Sequence, residues 1–296
     1  MSKLPGGHRL RKPIAAVLLP LSLATAFVTS VRVQAQESEP NMGTQLRASG
    51  TAPIQDALSS LQTILEQTRK AGDRKAEAST LSAIANSYNS LRQQQKAIEQ
   101  FQAARTIWHE LGDQEHEATT VAHIGDVYRD WGFPEQANRY YRDALGLYPA
   151  TDKAGRGATL NNVSLTYFSL NNRRKCFESL AHALDIFQEL NDRHGEALAL
   201  ANLGAAYIYL ANDPQKAVTA LQQAITRLDL LNDRASEAGA LDQMGVAWHM
   251  LGKSEMAGLS FQHALGLFHE VGRADGETMV RKHMRTLGEQ QTQASK

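Results

Sequence analysis

The sequence predicts an all-α protein, a right-handed α-solenoid of stacked helix-turn-helix repeats closed by a polar C-terminal helix. Three observations predict it. Tyr88, Tyr128, Tyr167, Tyr207 and Trp248 stand 40, 39, 40 and 41 residues apart, and a fixed period of this size marks an architecture built by stacking. Around each aromatic, apolar residues step by three, four and three: Leu81, Ile84, Tyr88 and Leu91 in the first copy, Val121, Ile124, Tyr128 and Trp131 in the second. That stepping puts four side chains on one helical stripe. After each stripe a second helix carries a small, a large and a small residue: Ala97-Phe101-Ala104, Ala137-Tyr141-Ala144, Cys176-Leu180-Ala183, Ala217-Leu221-Ala224 and Ala257-Phe261-Ala264. Small residues let helices approach closely and the large ones fill the space between them.

The elements follow in chain order. Residues 1–35 read as an export signal: Lys3, Arg9, Arg11 and Lys12 precede the apolar run Ile14 to Val31, and Val33 and Ala35 suit cleavage after Ala35. Membrane contact is expected only if this segment is kept as an anchor. Residues 36–53 lack periodicity and read as a flexible linker. Residues 54–71 align with a second-type helix, Ala57, Leu61 and Ile64 falling in the small, large and small slots, so the array opens on a half unit. Five units then occupy 72–111, 112–151, 152–190, 191–231 and 232–271, divided by turns such as "LGDQ" and "LNDR". Residues 272–296 begin like another first helix but place Arg281, Arg285 and Gly288 where apolar, small and aromatic residues belong. A polar closing helix is the cap such a stack requires.

Composition narrows the function classes. Hydrophobic residues at 42% and charged residues at 21% suit a packed soluble fold. The chain carries 31 cationic and 31 acidic residues, but five of the cationic ones lie within residues 1–35, so removal of that segment leaves 26 against 31. A mildly acidic chain has no footprint for phosphate backbones, and no nucleic-acid partner is expected.

The residues that invite a catalytic reading fall into recurring slots. Cys176, the only cysteine, stands where every other unit has alanine, a helix contact that takes a small hydrophobe. His109, His116 and His123 are spaced by seven, but Gly112-Asp113 breaks the helix between the first two, leaving fewer ligands on one stripe than zinc takes. No phosphate-binding glycine loop or nucleophile elbow is present. The expectation is therefore a protein without enzymatic activity, cofactor or metal.

The repeats, exemplified by "NLGAAYIYLANDPQKAVTALQQAI" (Asn202 to Ile225), resemble the tetratricopeptide repeat. The resemblance is to its longer subclass, similar to repeats in kinesin light chains and in bacterial arrays joined to caspase-like peptidase domains. It implies a scaffold that holds an extended peptide or partner segment in the concave groove lined by the first helices. In repeats resembling the kinesin light chain "LNNL", asparagines contact cargo peptides, and "LNNV" and "LANL" carry this over to Asn161, Asn162 and Asn202.

Read from the residues, the groove lining starts with His123, Asp126 and Arg129 and continues through Asn161, Asn162, Leu165 and Phe168. It ends with Asn202, Ala205, Ile208 and Tyr209, then Asp242, Gln243 and Val246, a polar mouth leading to an apolar floor. Amides in register along the stack can donate to and accept from a peptide backbone, or they can brace neighbouring units. The apolar floor can mark an interface or pack across the inner curve. The partner is an unidentified protein or peptide met after export, in the periplasm or outside the cell. The alternatives are a self-assembling structural array and a redox or enzymatic activity centred on Cys176.

Overall fold

The computed structural model describes residues 51–294, and side chains between 54 and 286. The segment expected to form an export signal and most of the expected linker lie outside the described residues. The chain opens on helix α1 (Thr51–Ala71), followed by α2 (Arg74–Ser90) and α3 (Gln94–Glu110), α4 (Gln114–Trp131) and α5 (Pro134–Leu147), then α6 (Lys153–Ser169) and α7 (Arg173–Glu189). The second half is α8 (Arg193–Ala206), continued by a wider π-type turn over Tyr207–Ala211, with α9 (Pro214–Leu230), α10 (Arg234–Met250), α11 (Ser254–Glu270) and α12 (Ala274–Ala294). Helix α1 takes in Thr51, Ala52 and Pro53, expected in the linker. A proline in a first helical turn costs nothing, since its missing N–H has no partner there.

Each helix packs against its sequence neighbours, so the hydrophobic core is a chain of clusters rather than a single centre. The turns explain the regular pitch. Gly72, Gly112, Asn191, Asn232 and Gly272 adopt positive φ between units, the left-handed conformation that closes a helix and that glycine and asparagine tolerate best. Four of the five precede an aspartate that caps the next helix, as Asp113 accepts from the backbone N–H of His116 and Asp233 from that of Ser236. The α5–α6 turn is the exception. Helix α5 ends after 14 residues at Tyr148, whose extended ψ of 128° leaves the helix without a left-handed residue.

Within each unit the small and large slots meet. A Cβ on Gly125 would lie 2.7 Å from the Tyr141 ring, and one on Gly245 would lie 2.5 Å from the Phe261 ring, so a bare backbone lets each ring seat between its helices. Cys176 is 1% exposed within the α7 cluster, and burial pushes its thiol up to about 12. At neutral pH it is a protonated core side chain, far from the thiolate that nucleophilic or redox chemistry uses.

Candidate interaction surface

The candidate face is formed by the first helices of successive units, α2, α4, α6, α8 and α10, with α12 closing the row. From α4 to α12, consecutive first helices touch one another across the inner curve, and that closeness decides which of the predicted residues remain open. His123, Asn162, Phe168, Asn202, Ala205, Gln243 and Val246 are partly exposed and Tyr209 is 48% exposed. Asp126, Arg129, Asn161, Leu165, Ile208 and Asp242 are buried. For these six the expectation of an open lining is corrected, because each points into the seam between two first helices or toward its own second helix.

The charged pair is the clearest case. Arg129 has no exposed side-chain surface. Its Nη1 donates to the Tyr141 hydroxyl at 3.0 Å and lies 3.0 Å from Asp126 Oδ1, while Nη2 donates to Asp130 at 3.2 Å. Tyr141 in turn donates to Asp126 Oδ1 at 2.7 Å, and His123 Nδ1 lies 3.2 Å from Asp126 Oδ2. Burial alone would raise the Asp126 pKa, but the charge on Arg129 and the bond from His123 hold it below the ordinary carboxylate range. The Tyr141 hydroxyl moves the other way, well up, through burial and the neighbouring carboxylate. The result is a closed ionic hub beneath the surface, with no free charge to clamp a terminal carboxylate.

The amides form a ladder. Asn162 donates to Asp126 Oδ1 at 2.9 Å, Asn202 donates to Asn161 Oδ1 at 3.0 Å, and Asn89 donates to Asp130 Oδ2 at 3.2 Å. At the far end His283 Nδ1 lies 2.8 Å from Asp242 Oδ1. Each bond spans 36 to 41 residues, one unit of the stack. Asn162 and Asn202 each make a hydrogen bond into the neighbouring unit. Sequence spacing puts them in register, and register alone does not say whether an amide turns outward or toward the next helix.

Further along, the surface becomes apolar and open. Phe168 and Tyr209, from α6 and the π-type turn after α8, meet edge to face with ring centroids 6.0 Å apart. Val246 is half-buried, and Met250, one turn on along α10, is 39% exposed. The Tyr209 hydroxyl is pushed up to about 12 by burial and by nearby Asp242, partly offset by a hydrogen bond with Gln243, so it stays protonated. Such an amphipathic ring is suited to recognition, large in contact area and low in conformational freedom.

The histidines take carboxylate partners one by one. His109 Nδ1 meets Glu117 at 3.0 Å and His116 Nδ1 meets Asp113 at 2.9 Å, so neither is arrayed with His123 on a common ligand. One surface feature escapes the repeat pattern. Trp131, expected in the buried stripe, is 42% exposed, and Phe133 beside it equally so. The other units have leucine at the Trp131 position, namely Leu91, Leu170, Leu210 and Leu251, and an indole is too large for a leucine pocket. That size mismatch was the available signal.

The comparisons agree with this architecture. The tetratricopeptide repeat family matches residues 77–150 and 155–229, parting at the exceptional turn after α5. No curated protein matches. Among solved structures, BtubC of P. vanneervenii superposes with a TM-score of 0.63 at 19% identity, covering 73% of this chain and 91% of that one. A Pyrococcus horikoshii signal transduction ATPase with a tetratricopeptide repeat sensor gives 0.59 at 15% identity over 82% of this chain and 41% of the other. A kinesin light chain with nearly identical repeats, from Podosopora anserina, gives 0.51 at 15% identity over 66% and 96%. Identities this low speak for the fold alone. With half the chain matched by the family and every described unit built as a helical hairpin with interlocking small and large slots, the chain belongs to the tetratricopeptide repeat family.

Proposed function

We propose that this chain is a non-catalytic scaffold that, after export, holds an extended or helical segment of a partner protein along its concave face. Arrays of this family are generally protein interaction scaffolds. The observation that carries the groove reading is the open apolar stretch of Phe168, Tyr209, Val246 and Met250 beside a braced polar ladder. A braced groove binds without reorganising, and exposed aromatic and methionine side chains supply anchors. His123 and the partly exposed Asn202 and Gln243 form its polar margin. Export rests on residues 1–35 and places the partner in the periplasm or outside the cell.

A photo-crosslinking side chain introduced at position 209 tests the groove, with Leu259, 57% exposed on α11, as the control position. A discrete adduct in the exported fraction from 209 and none from 259 supports the reading. Equal products from both positions, or none from either, sink it. Fusing residues 1–35 to a reporter active only outside the cytoplasm tests export, and an inactive fusion removes that part. A Cys176-centred activity would require thiol labelling of the native fold, whereas the buried thiol is expected to react only after unfolding.

A further inference from the structure

In four of the five units the aromatic residue of the first helix carries a lysine ammonium over its ring. Lys96 lies 5.4 Å from the Tyr88 centroid, Lys175 5.1 Å from Tyr167, Lys216 5.7 Å from Tyr207 and Lys253 4.8 Å from Trp248. These are cation–π contacts, drawn by the negative face of the ring. The second unit departs from the rule. The position held by Lys96, Lys175 and Lys216 is Gln136, and the turn "WGFPEQ" contains no lysine. In place of a cation there is more aromatic surface. Tyr128 stacks on Tyr140 at 5.1 Å and on Trp131 at 6.2 Å, and Phe133 meets Trp131 edge to face at 5.3 Å.

We infer that this four-ring cluster at the α4–α5 turn is a recognition site for a cationic side chain, a lysine or arginine of a partner protein, seated on the exposed indole of Trp131. With Tyr128 stacked on Trp131 and Phe133 set edge to face against it, Trp131 and Phe133 still keep two-fifths of their surface in solvent, the most exposed pair of aromatic neighbours among the described residues. Charge complementarity favours a cation over an apolar plug. Glu135, two residues from Phe133, is exposed and makes no ion pair among the described residues, whereas Asp130 is already paired with Arg129. The other units cover the same aromatic position with their own lysine, whereas this one presents rings and the Glu135 carboxylate with no lysine over Tyr128, the cations Arg105 and Arg139 lying on the Tyr140 side. The site lies at the turn edge of the array and does not depend on the concave-face reading; a cross-link at 209 and a ligand at Trp131 can fail separately.

The test follows the indole N–H of Trp131 in the isotope-labelled protein at constant ionic strength, assigned with Trp131→Phe. Tetramethylammonium and N-acetyl-lysine amide are titrated as probes, with neopentyl alcohol as the neutral molecule of similar size. The site predicts saturable shifts with both cations and binding roughly threefold or more weaker for the alcohol. Gln136→Lys, which restores the internal lysine of the sister units, should weaken cation binding by a similar factor while preserving the fold, and Trp131→Ala should abolish it. Equal response to the neutral probe means a merely apolar patch and overturns the proposal. So do a lack of saturation and a Gln136→Lys variant that binds cations as well as the parent does.

Discussion

Helices α6 and α8 hold the same place in successive units and are packed by different means. Helix α6 buries Gly155, Gly157, Thr159, Asn161, Ser164 and Thr166, with Val163 and Leu165 its only large apolar residues so enclosed. Helix α8 buries Ala197, Leu198, Ala199, Leu200 and Ala201 in an unbroken run. The joint before α6 is correspondingly held by polar contacts. Tyr148 reaches Thr119 and Thr159, Thr166 donates to Asn138 at 2.7 Å, Asn162 donates to Asp126, and Arg156 donates to the Leu145 carbonyl. The joint around α8 and α9 belongs to the largest apolar cluster among the described residues. One backbone plan thus accepts two kinds of adhesion. The apolar joint gains from every buried methylene whatever the precise geometry. The polar joint gains only while each partner is in place, because a buried polar group left alone costs more than its bond contributed.

That difference is sharpest in the response to single substitutions. Arg129→Met should be the most damaging change, destabilising the protein by about 4 kcal/mol, because it leaves Asp126 buried beside Tyr141 without its counter-charge. Removing the whole hub should hurt less. The triple variant Asp126→Leu, Arg129→Met, Tyr141→Phe is expected to recover at least half of the loss, since Phe101 and Phe261 already fill the equivalent ring slot in sister units. Urea midpoints of the single and triple variants check this, and a triple variant no better than the single would place the stability in the polar bonds themselves. Leu221→Ala, in the apolar joint, should cost about 3 kcal/mol, as expected for a fully enclosed leucine whose cavity cannot collapse. No second substitution in its neighbourhood should rescue it as the triple variant rescues the hub, short of refilling the volume.

The repeat itself was legible because helix periodicity, small slots and turn residues are all local signals. The apolar floor was legible as composition only. Leu165 and Ile208 read as surface until the closeness of successive first helices shows them packed in the seam. The hub was hidden for a related reason. Arg129 is drawn inward by the hydroxyl of Tyr141, twelve residues away on the partner helix, and the one hint in the sequence was a tyrosine in a slot that elsewhere takes phenylalanine or leucine. A buried hydroxyl demands a partner. Trp131 was misplaced by the opposite error, trusting the stripe over the size of the side chain.

Acid should separate the two joints next. Asp126 titrates below its ordinary value in the folded state, so its contribution is fully present above the unfolded carboxylate range and is lost as pH falls through the folded value, in the window below about 4. The helix cap Asp233 is depressed as well, burial being outweighed by His194 and Ser236, so part of the acid loss is common to the whole array. Hydrogen exchange at pH 3.5 and pH 6 is the measurement. Amides of α4 and α6 should lose more protection than those of α9, and the triple hub variant should narrow that gap. Uniform loss along the array would mean that the caps, and not the hub, carry the acid response.

The smallest effect concerns the ladder. Asn202→Ala removes a part-buried amide bond to Asn161 at 3.0 Å and leaves the Asn161 carbonyl oxygen, itself enclosed, without its donor. A loss of about 1 kcal/mol follows, measurable as a lower urea midpoint. Asn161→Ala, which removes the acceptor and leaves a half-exposed donor free to meet water, should cost no more, although Asn161 is the more buried of the two. The asymmetry is the useful part. If the pair serves to brace adjacent units, the double variant should be close to the worse single one, since each change abolishes the same contact. If Asn202 instead turns outward to hold a partner, its removal should leave stability untouched and the two substitutions should act independently.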